Sequence, residues 1–402
     1  MSQGDTPPAI TAPRIAVIAG TPQLIRAART LGVDTVLVHE AGQPAPACAA
    51  EAGDVLATDL SDPDALHAVL LRVHINRPFH RLLSLTEAGL LPAAKAAERL
   101  GVPGNPPSTV LLLRDKRRMR ALLNERGLSP VRTTAPRDWR DLAAFCRTTG
   151  GAVILKPASG SGSEAVLRVA APRDAQRAWT DFTRAGGTDP VAEEYLEGPE
   201  VSVETFTHAR EHAVIAVTDK TTWPSFVEAG HTMPSRLPAA DRDAVTALVR
   251  AFLDTVGLWE GPAHTEVKIT PTGPKIIESH NRIGGDKIRE LIRRSYGLDL
   301  PALTVGCPLG LLPPPPTDPV PVAGAAIRFL SPEPGLVRRI TLPGGLRADD
   351  VVRVGARIGD RIRPLRDSDD RCGYVLATGE DATEAARRAD TLRMGVLIEM
   401  EA

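Results

Sequence analysis

Within the first hundred residues, short apolar runs alternate with helix-like stretches, and that alternation limits the fold more than any other feature of the chain. Residues 14–20, RIAVIAG, are almost wholly apolar up to Gly20, the pattern of a strand buried on both faces. A helix-like stretch follows to Thr30, Gly32 breaks it, and VDTVLVHE predicts a second strand. HRLLSLTEAG then predicts strand, turn and helix start, with Thr86 placed to cap, and LLPAAKAAERL runs to a stop at Gly101. Strands that alternate with helices need crossover connections, so this segment is expected to form a doubly wound α/β domain with a parallel sheet, ending near residue 108. Gly20 is followed by TPQLIR, so the G-x-G-x-x-G dinucleotide fingerprint is absent and a nicotinamide site loses its main support.

The pattern then changes. Residues 109–135 predict helix, charged in RDKRRMRALLNERG and ended by Gly127. From 151 to 206 the chain turns β-rich, through GAVILKP, EAVLRVA, a short helix, VAEEYLEG and EVSVETF. A helix is expected around 240–257, then two strands flanking the turn TPTGP. The run Pro313–Pro316 is the clearest linker, and beyond it come short strands, Gly turns and a late amphipathic helix, DATEAARRADTLRM. The expected division is an N-terminal domain over 1–108, a central α+β domain over 109–312, a Pro-rich linker over 313–319 and a β-rich C-terminal subdomain over 320–402. No internal repeat is visible.

Composition narrows the function classes. Across 402 residues, 48 Lys and Arg stand against 49 Asp and Glu, a formal net charge of −1, so no overall field draws nucleic acid or an anionic membrane. Apolar residues make up 43%, with four Trp, three Tyr and seven Phe; aliphatic side chains must carry the core, and general disorder is excluded. Cys48, Cys146, Cys307 and Cys372 lie far apart with no metal or disulfide spacing. The opening MSQGDTPPAITAP lacks the basic and apolar regions of a signal peptide, and no apolar stretch approaches the roughly 20 residues that span a bilayer. A cytoplasmic location is the expectation.

Three segments carry chemistry. In KPASGSGSEAV, a strand delivers Lys156 into a small-residue loop, Ser159, Gly160, Ser161 and Gly162. Glycines let backbone N–H groups approach phosphate oxygens, and a lysine at the loop mouth adds charge. The order differs from the P-loop, because the lysine precedes the glycines and the loop joins two strands. A flexible hairpin is the plainer account. In AEEYLEGPEVSVE, Glu193 and Glu194 precede apolar Tyr195 and Leu196, then Glu200; a flat apolar slot suits a nucleobase and a carboxylate suits ribose hydroxyls, although a solvated strand end has the same composition. In HTEVKITPTGPKIIESHNRIGGDKI, two strands about a tight turn set Glu266 beside Glu278. Paired carboxylates suit Mg²⁺ held against a polyphosphate, Arg282 is suited to a bidentate clamp on a carboxylate or acyl-phosphate, and Gly284–Gly285 permit close backbone approach. A hairpin with surface charges is the alternative.

Lys116, Lys156 with its glycine loop, the EEYLEGPE segment, and Glu266 with Glu278 occur in the order and rough spacing of the ATP-grasp superfamily, and the chain resembles it over roughly residues 14–310. The resemblance implies an ATP-grasp fold behind a Rossmann-like N-terminal domain, a lid at approximately 135–200, and ATP with Mg²⁺ or Mn²⁺ between two α+β lobes. It assigns Lys116 and Lys156 to the phosphates under the 159–162 loop. Glu193, Glu194, Tyr195 and Leu196 go to the adenine, Glu200 to the ribose, and Glu266 and Glu278 to the metal. VEAGHTMPS, with Glu228 and His231, resembles the substrate segment of bacilysin-type L-amino acid ligases, as do Arg282 four residues after Glu278 and the stretch from Thr86-Glu87. The segment after Pro319 resembles the β-rich cap of dipeptide ligases and biotin carboxylase relatives.

The activity implied is ATP-dependent joining of two small-molecule amino acids through an acyl-phosphate. Lys156, His231 and Arg282 act at the reacting groups, and Glu228, Gly284, Gly285 and Asp286 line the substrate. The alternatives are loading of an amino acid onto a carrier protein or natural-product scaffold, and an ATP-binding protein without catalysis; a homodimer is common among relatives. Two positions depart from the family pattern or add to it. His280 stands where E-x-N-x-R places Asn, so either His280 ligates the metal, or Asn281 reaches it through a bulge, or His280 is structural. Asp286 occupies a place where a bulky apolar residue restricts the pocket; a carboxylate suits a polar or cationic substrate, or pairs with Lys287 or Arg289.

Overall fold

The computed structural model describes residues 12–160 and 162–401. The opening apolar run forms the strand Arg14–Ile18, buried along its whole length, at the centre of a four-stranded sheet. It pairs in parallel with Asp34–Glu40 on one side and Arg81–Leu83 on the other, and Asp54–Thr58 completes the sheet in parallel beyond Asp34–Glu40. Alternate side chains feed two cores: Ala16 and Ile18 pack with Leu66, Leu70 and Phe79, while Ile15 and Val17 pack with Leu24, Ile25 and Cys48. Helices on both faces make the sheet doubly wound, as the alternation predicts. Thr86 caps the helix Glu87–Leu100 by accepting from Gly89 N, and Gly101 ends it in a left-handed conformation.

The helix expected over 109–135 is two helices, Pro107–Arg114 and Lys116–Glu125. The break falls at Asp115, whose carboxylate accepts from the N–H groups of Arg117 and Arg118. An N-cap requires extended backbone, so capping the second helix ends the first. The break sets Lys116 at the first helical position, where its side chain reaches the cleft described below.

Two sheets face each other across that cleft. The smaller, in the order Thr133–Thr134, Pro190–Glu194, Val153–Pro157, Leu167–Val169, is backed by the helices Trp139–Thr149 and Ala175–Arg184. The larger has eight strands, in the order Gly273–His280, Gly261–Thr270, Glu200–His208, Glu211–Thr222, Glu228–Met233, Gly324–Leu330, Gly373–Gly379, Val351–Val354. The eight-stranded sheet therefore continues across the Pro-rich segment, while a separate three-stranded sheet, in the order Arg361–Ile362, Gly335–Thr341, Leu397–Met400, lies wholly beyond it. Gly324–Leu330 pairs antiparallel with Glu228–Met233, His231 opposite Ile327, so the C-terminal part extends the central sheet and lies beside residues 228–231. The late helix, Ala382–Gly395, packs its alanine face on Gly324–Leu330 and Gly373–Gly379. Among the described residues no helix is long and apolar enough to cross a membrane.

Candidate active site

A cleft of about 380 Å³ opens between the two sheets. Lys156 leaves the end of Val153–Pro157 and is buried against Glu193, Nζ to Oε2 2.7 Å. Arg120, fully buried, holds the other oxygen of Glu193 at 2.7 Å and donates to the carbonyls of Ser129 at 3.1 Å and Ile276 at 2.5 Å. Burial opposes ionisation of Glu193, but Lys156 and Arg120 outweigh it and hold the carboxyl below its usual range. Glu193 is thus a buried clamp on Lys156. Successive strand residues face opposite ways, and the Glu194 carboxylate pairs with Arg132, 2.7 Å, although the residue still borders the cleft. Tyr195 and Leu196 line the cleft, with Arg168 stacked 4.7 Å from the Tyr195 ring.

The glycine loop joins two antiparallel strands, as the sequence predicts. Gly160 and Gly162 have φ of 110° and 77°, a conformation that glycine adopts without strain and that lets successive N–H groups converge. Lys116 Nζ donates to the Gly160 carbonyl at 2.8 Å and pairs with Glu278 at 2.9 Å, tying loop to hairpin. Ser159, Gly160 and Gly162 line the cleft; Ser161 lies outside the described residues.

Across the hairpin, Glu266 and Glu278 are direct partners in register, their carboxylates on the cleft side. Each already meets a cation, Glu278 through Lys116 and Glu266 through Lys220 at 2.8 Å. Lys220 also holds Glu200 at 2.8 Å and Glu228 at 3.2 Å. Burial disfavours its charge, yet three carboxylates push its pKa well above the ordinary lysine value. Behind Glu266, His264 bridges to buried Glu204, Nδ1 to Oε1 2.8 Å. Burial of His264 is outweighed by the two carboxylates, which raise it to about 10. Gly284 does not reach the cleft; it backs the His264 ring, where a Cβ would meet Nδ1 at 2.6 Å. A side chain at 284 would displace the imidazole.

His280 stands with Glu278, as residues two apart on a strand must. Both its ring nitrogens are taken, Nε2 by Glu278 at 3.2 Å and Nδ1 by Glu87 at 2.8 Å. Among the described residues no three His, Cys, Asp or Glu side chains converge as a ready metal-ligand set. The donor set is two carboxylates beside two lysines, which fits a magnesium ion that takes its remaining ligands from phosphate and water better than a cation caged by protein. Glu87, from the N-terminal domain, also accepts from Arg282 Nε at 2.5 Å. Burial of Glu87 is overcome by His280 and Arg282, which lower it to about 2.

The far end of the cleft is built from Glu228, His231, Asp286 and two residues of the C-terminal part that sequence reasoning missed. His231 Nε2 lies 3.0 Å from Asp286, while buried Nδ1 has no hydrogen-bond partner. Asp286 and Lys287 both have positive φ, 51° and 64°, and this turn aims the Asp286 carboxylate inward. Its partner is neither Lys287 nor Arg289 but Arg371, which takes both oxygens, 2.9 and 2.6 Å. Ser368 Oγ donates to Glu228 at 2.9 Å, and Ser368 N to the Gly162 carbonyl at 3.3 Å. Lys220, Ser368 and Arg371 carry no local motif. Register on the sheet was the one available signal, since pairing 228–233 with 324–330 brings residues just before 373 into reach.

Residues 25–104 match the ATP-grasp N-terminal domain, 150–290 the ATP-grasp domain and 328–401 the L-amino acid ligase C-terminal domain 2. Alanine–anticapsin ligase of Bacillus subtilis (strain 168) is 27% identical over 241 residues, 54% of this chain and 51% of that one. Carnosine synthase 1 of Gallus gallus is 30% identical over 353 residues, 79% of this chain and 37% of that one. The chain thus spans about half the length, or less, of these curated relatives. The crystal structure of an L-amino acid ligase from Bacillus licheniformis superposes with a TM-score of 0.79 at 22% identity, covering 97% of this chain and 99% of that one. Three matched domains in ATP-grasp order, around a cleft of lysines and paired glutamates, place the chain in the ATP-grasp superfamily, where it resembles the L-amino acid ligases.

Proposed function

We propose that the protein is an ATP-dependent carboxylate–amine ligase that joins two amino acids through an acyl-phosphate, releasing ADP and phosphate. The observation that carries this reading is a single cleft with a phosphate-type end, Lys116, Lys156, Glu266 and Glu278, continuous with an end that presents Arg282, His231 and Asp286. A nucleotide pocket alone needs only the first.

In this reading Glu266 and Glu278 hold the divalent ion, which when bound neutralises phosphate charge at the reacting end. His280 does not ligate it: both ring nitrogens are engaged, and magnesium prefers oxygen. Lys116 exchanges Glu278 for phosphate oxygens, Lys156 reaches them while still held by Glu193, and the loop at Gly160 and Gly162 supplies N–H donors above them. Glu193, anchored by Arg120, keeps Lys156 extended into the cleft. Arg282, oriented by Glu87, holds the carboxyl that becomes activated and stabilises the oxyanion formed when the amine attacks. His231 has one ring nitrogen on Asp286 and one without a partner, and a substrate polar group satisfies it. Catalysis is then positioning and electrostatics, with the amine proton leaving to solvent or phosphate.

The test is phosphate release with ATP and magnesium against all pairs of the twenty amino acids, products identified by mass. Release with a defined pair, and a peptide of the matching mass, establishes the ligase. Silence across every pair with ATP binding intact removes free proteinogenic amino acids as substrates and turns the search to carrier-bound ones.

A further inference from the structure

Asp286 is one of two carboxylates, with Glu228, that line the far end of the cleft where a cationic substrate side chain would find a partner, yet the protein has already given it a cation. Arg371 comes from the C-terminal part, 85 residues further along the chain. It binds both Asp286 oxygens in the two-point geometry peculiar to guanidinium and carboxylate. Its Nε donates to the Ser368 carbonyl at 2.8 Å, Nη1 reaches the Glu228 carbonyl at 3.3 Å, and its Cζ lies 3.8 Å from the Phe329 ring centre. Stacked on one face and bonded along its edges, the guanidinium is held as a ligand would be, and it lines the cleft.

We propose that Arg371 is the specificity-determining residue of this subsite: a built-in guanidinium that occupies the place of an arginine- or lysine-like side chain and confines the subsite to amino acids with uncharged side chains. The inference rests on the ligase reading for the word substrate, but the plug itself is a statement about one carboxylate and one guanidinium. Burial opposes the charge of Asp286, and hydrogen bonds from His231 and Arg371 overcome it, so the carboxyl is held ionised well below its usual range. The pair is therefore charge against charge. Removing Arg371 leaves Asp286 with His231 alone, and removing Asp286 leaves the guanidinium without a carboxylate, each at the wall of a cleft where the substrate is the nearest replacement.

The two single variants must then change preference in opposite directions. Arg371→Ala frees the carboxylate and should raise the kcat/KM ratio of arginine or lysine over a neutral amino acid by about 10²-fold, the scale of a close charge pair. Asp286→Ala frees the guanidinium and should move preference toward aspartate or glutamate. Both are read from the amino acid pair panel, with calorimetric titration of L-arginine and of guanidinium chloride into wild type and Arg371→Ala in the presence of ADP. Heat of binding with the variant and none with wild type supports the plug. Unchanged preference in both variants, or a wild type that takes arginine as readily as neutral amino acids, overturns it. If the wild type forms no peptide with any pair, free proteinogenic amino acids are removed as substrates while the calorimetry still decides: a folded Arg371→Ala that binds neither cation refutes the plug. Should Arg371→Ala fail to fold, the anionic shift in Asp286→Ala carries the test alone.

Discussion

The two ends of the cleft are built by different means. At the phosphate-type end, Lys116, Lys156, Glu193, Glu266 and Glu278 all come from the central part, from strand ends, a helix start and one hairpin, and each is clamped by a charge of the same part. At the far end, Arg282 leans on Glu87 from the N-terminal domain, and Asp286 and Glu228 are met by Arg371 and Ser368 from the C-terminal part. A shared chemistry can reside in one part of the chain. Choice of substrate can be altered wherever three parts of the chain meet, without touching that chemistry.

The strongest test of this division is Glu278→Gln. The substitution keeps shape and removes the charge that faces Glu266 and Lys116. We expect kcat to fall on the order of 10³-fold, as when a fixed charge is lost at a phosphoryl-transfer site, while the ratio of rates between amino acid side chains stays the same. Near-normal turnover removes Glu278 from the metal site; a changed side-chain preference breaks the separation of the two ends.

Arg120→Met asks what the clamp is worth. The arginine is fully buried, and its loss leaves Glu193 with Lys156 alone and the Ser129 and Ile276 carbonyls without these donors. We expect a loss of about 3–5 kcal/mol in denaturant unfolding, the usual cost of breaking a buried pair. A change below about 1 kcal/mol would mean that Glu193 is held by Lys156 alone.

Acid sharpens the same contrast. Glu193 and Asp286 both titrate below their usual values in the folded chain, Glu193 through Lys156 and Arg120 and Asp286 through His231 and Arg371, each against burial. A depressed folded pKa contributes stability that is present above the unfolded value, near 4.5 for Glu and 3.8 for Asp, and lost as pH falls below it. The contribution of these two carboxyls should therefore hold steady from neutral pH to about pH 5 and decline below. The acid decline should be shallower in both Glu193→Gln and Asp286→Asn, followed by denaturant midpoints across that range. A decline as steep as wild type in either variant would show that the group does not supply it.

What the amino-acid sequence discloses follows the same line. The parallel sheet, the glycine loop between two strands, the Thr86 cap and the Glu266–Glu278 register are all legible, because each depends on residues close together or on strand alternation. The break at Asp115 was hidden by good helix formers on both sides, and only the capping preference of Asp marks it. Lys220 lies in no segment that carries a local signal; its meaning lies in three glutamates from three other strands. Arg371 carries no local motif, and Asp286 reads either as a partner for a polar or cationic substrate or as the partner of Lys287 or Arg289. Long-range pairing decides both, and periodicity carries no information about it.

The smallest expected effect is the most discriminating for how the ends communicate. Besides the carbonyl that accepts from Arg371, Ser368 makes two contacts toward the ends of the cleft: its hydroxyl donates to Glu228, and its backbone N–H reaches the carbonyl of Gly162 in the loop over the phosphate-type end. Ser368→Ala removes the first and keeps the second. Glu228 shares Lys220 with Glu200 and Glu266 and otherwise has a longer bond from the Ser163 hydroxyl, 3.4 Å, so the Ser368 hydroxyl is a substantial part of its satisfaction, worth about 1–2 kcal/mol for a hydrogen bond to a charged acceptor. If Glu228 serves the amino acid alone, the variant should raise the amino acid KM about 5- to 30-fold and leave the KM for ATP unaltered, because the loop contact is intact. If the KM for ATP rises in step, Glu228 couples the two ends through Lys220, and the division drawn from their construction does not extend to their function.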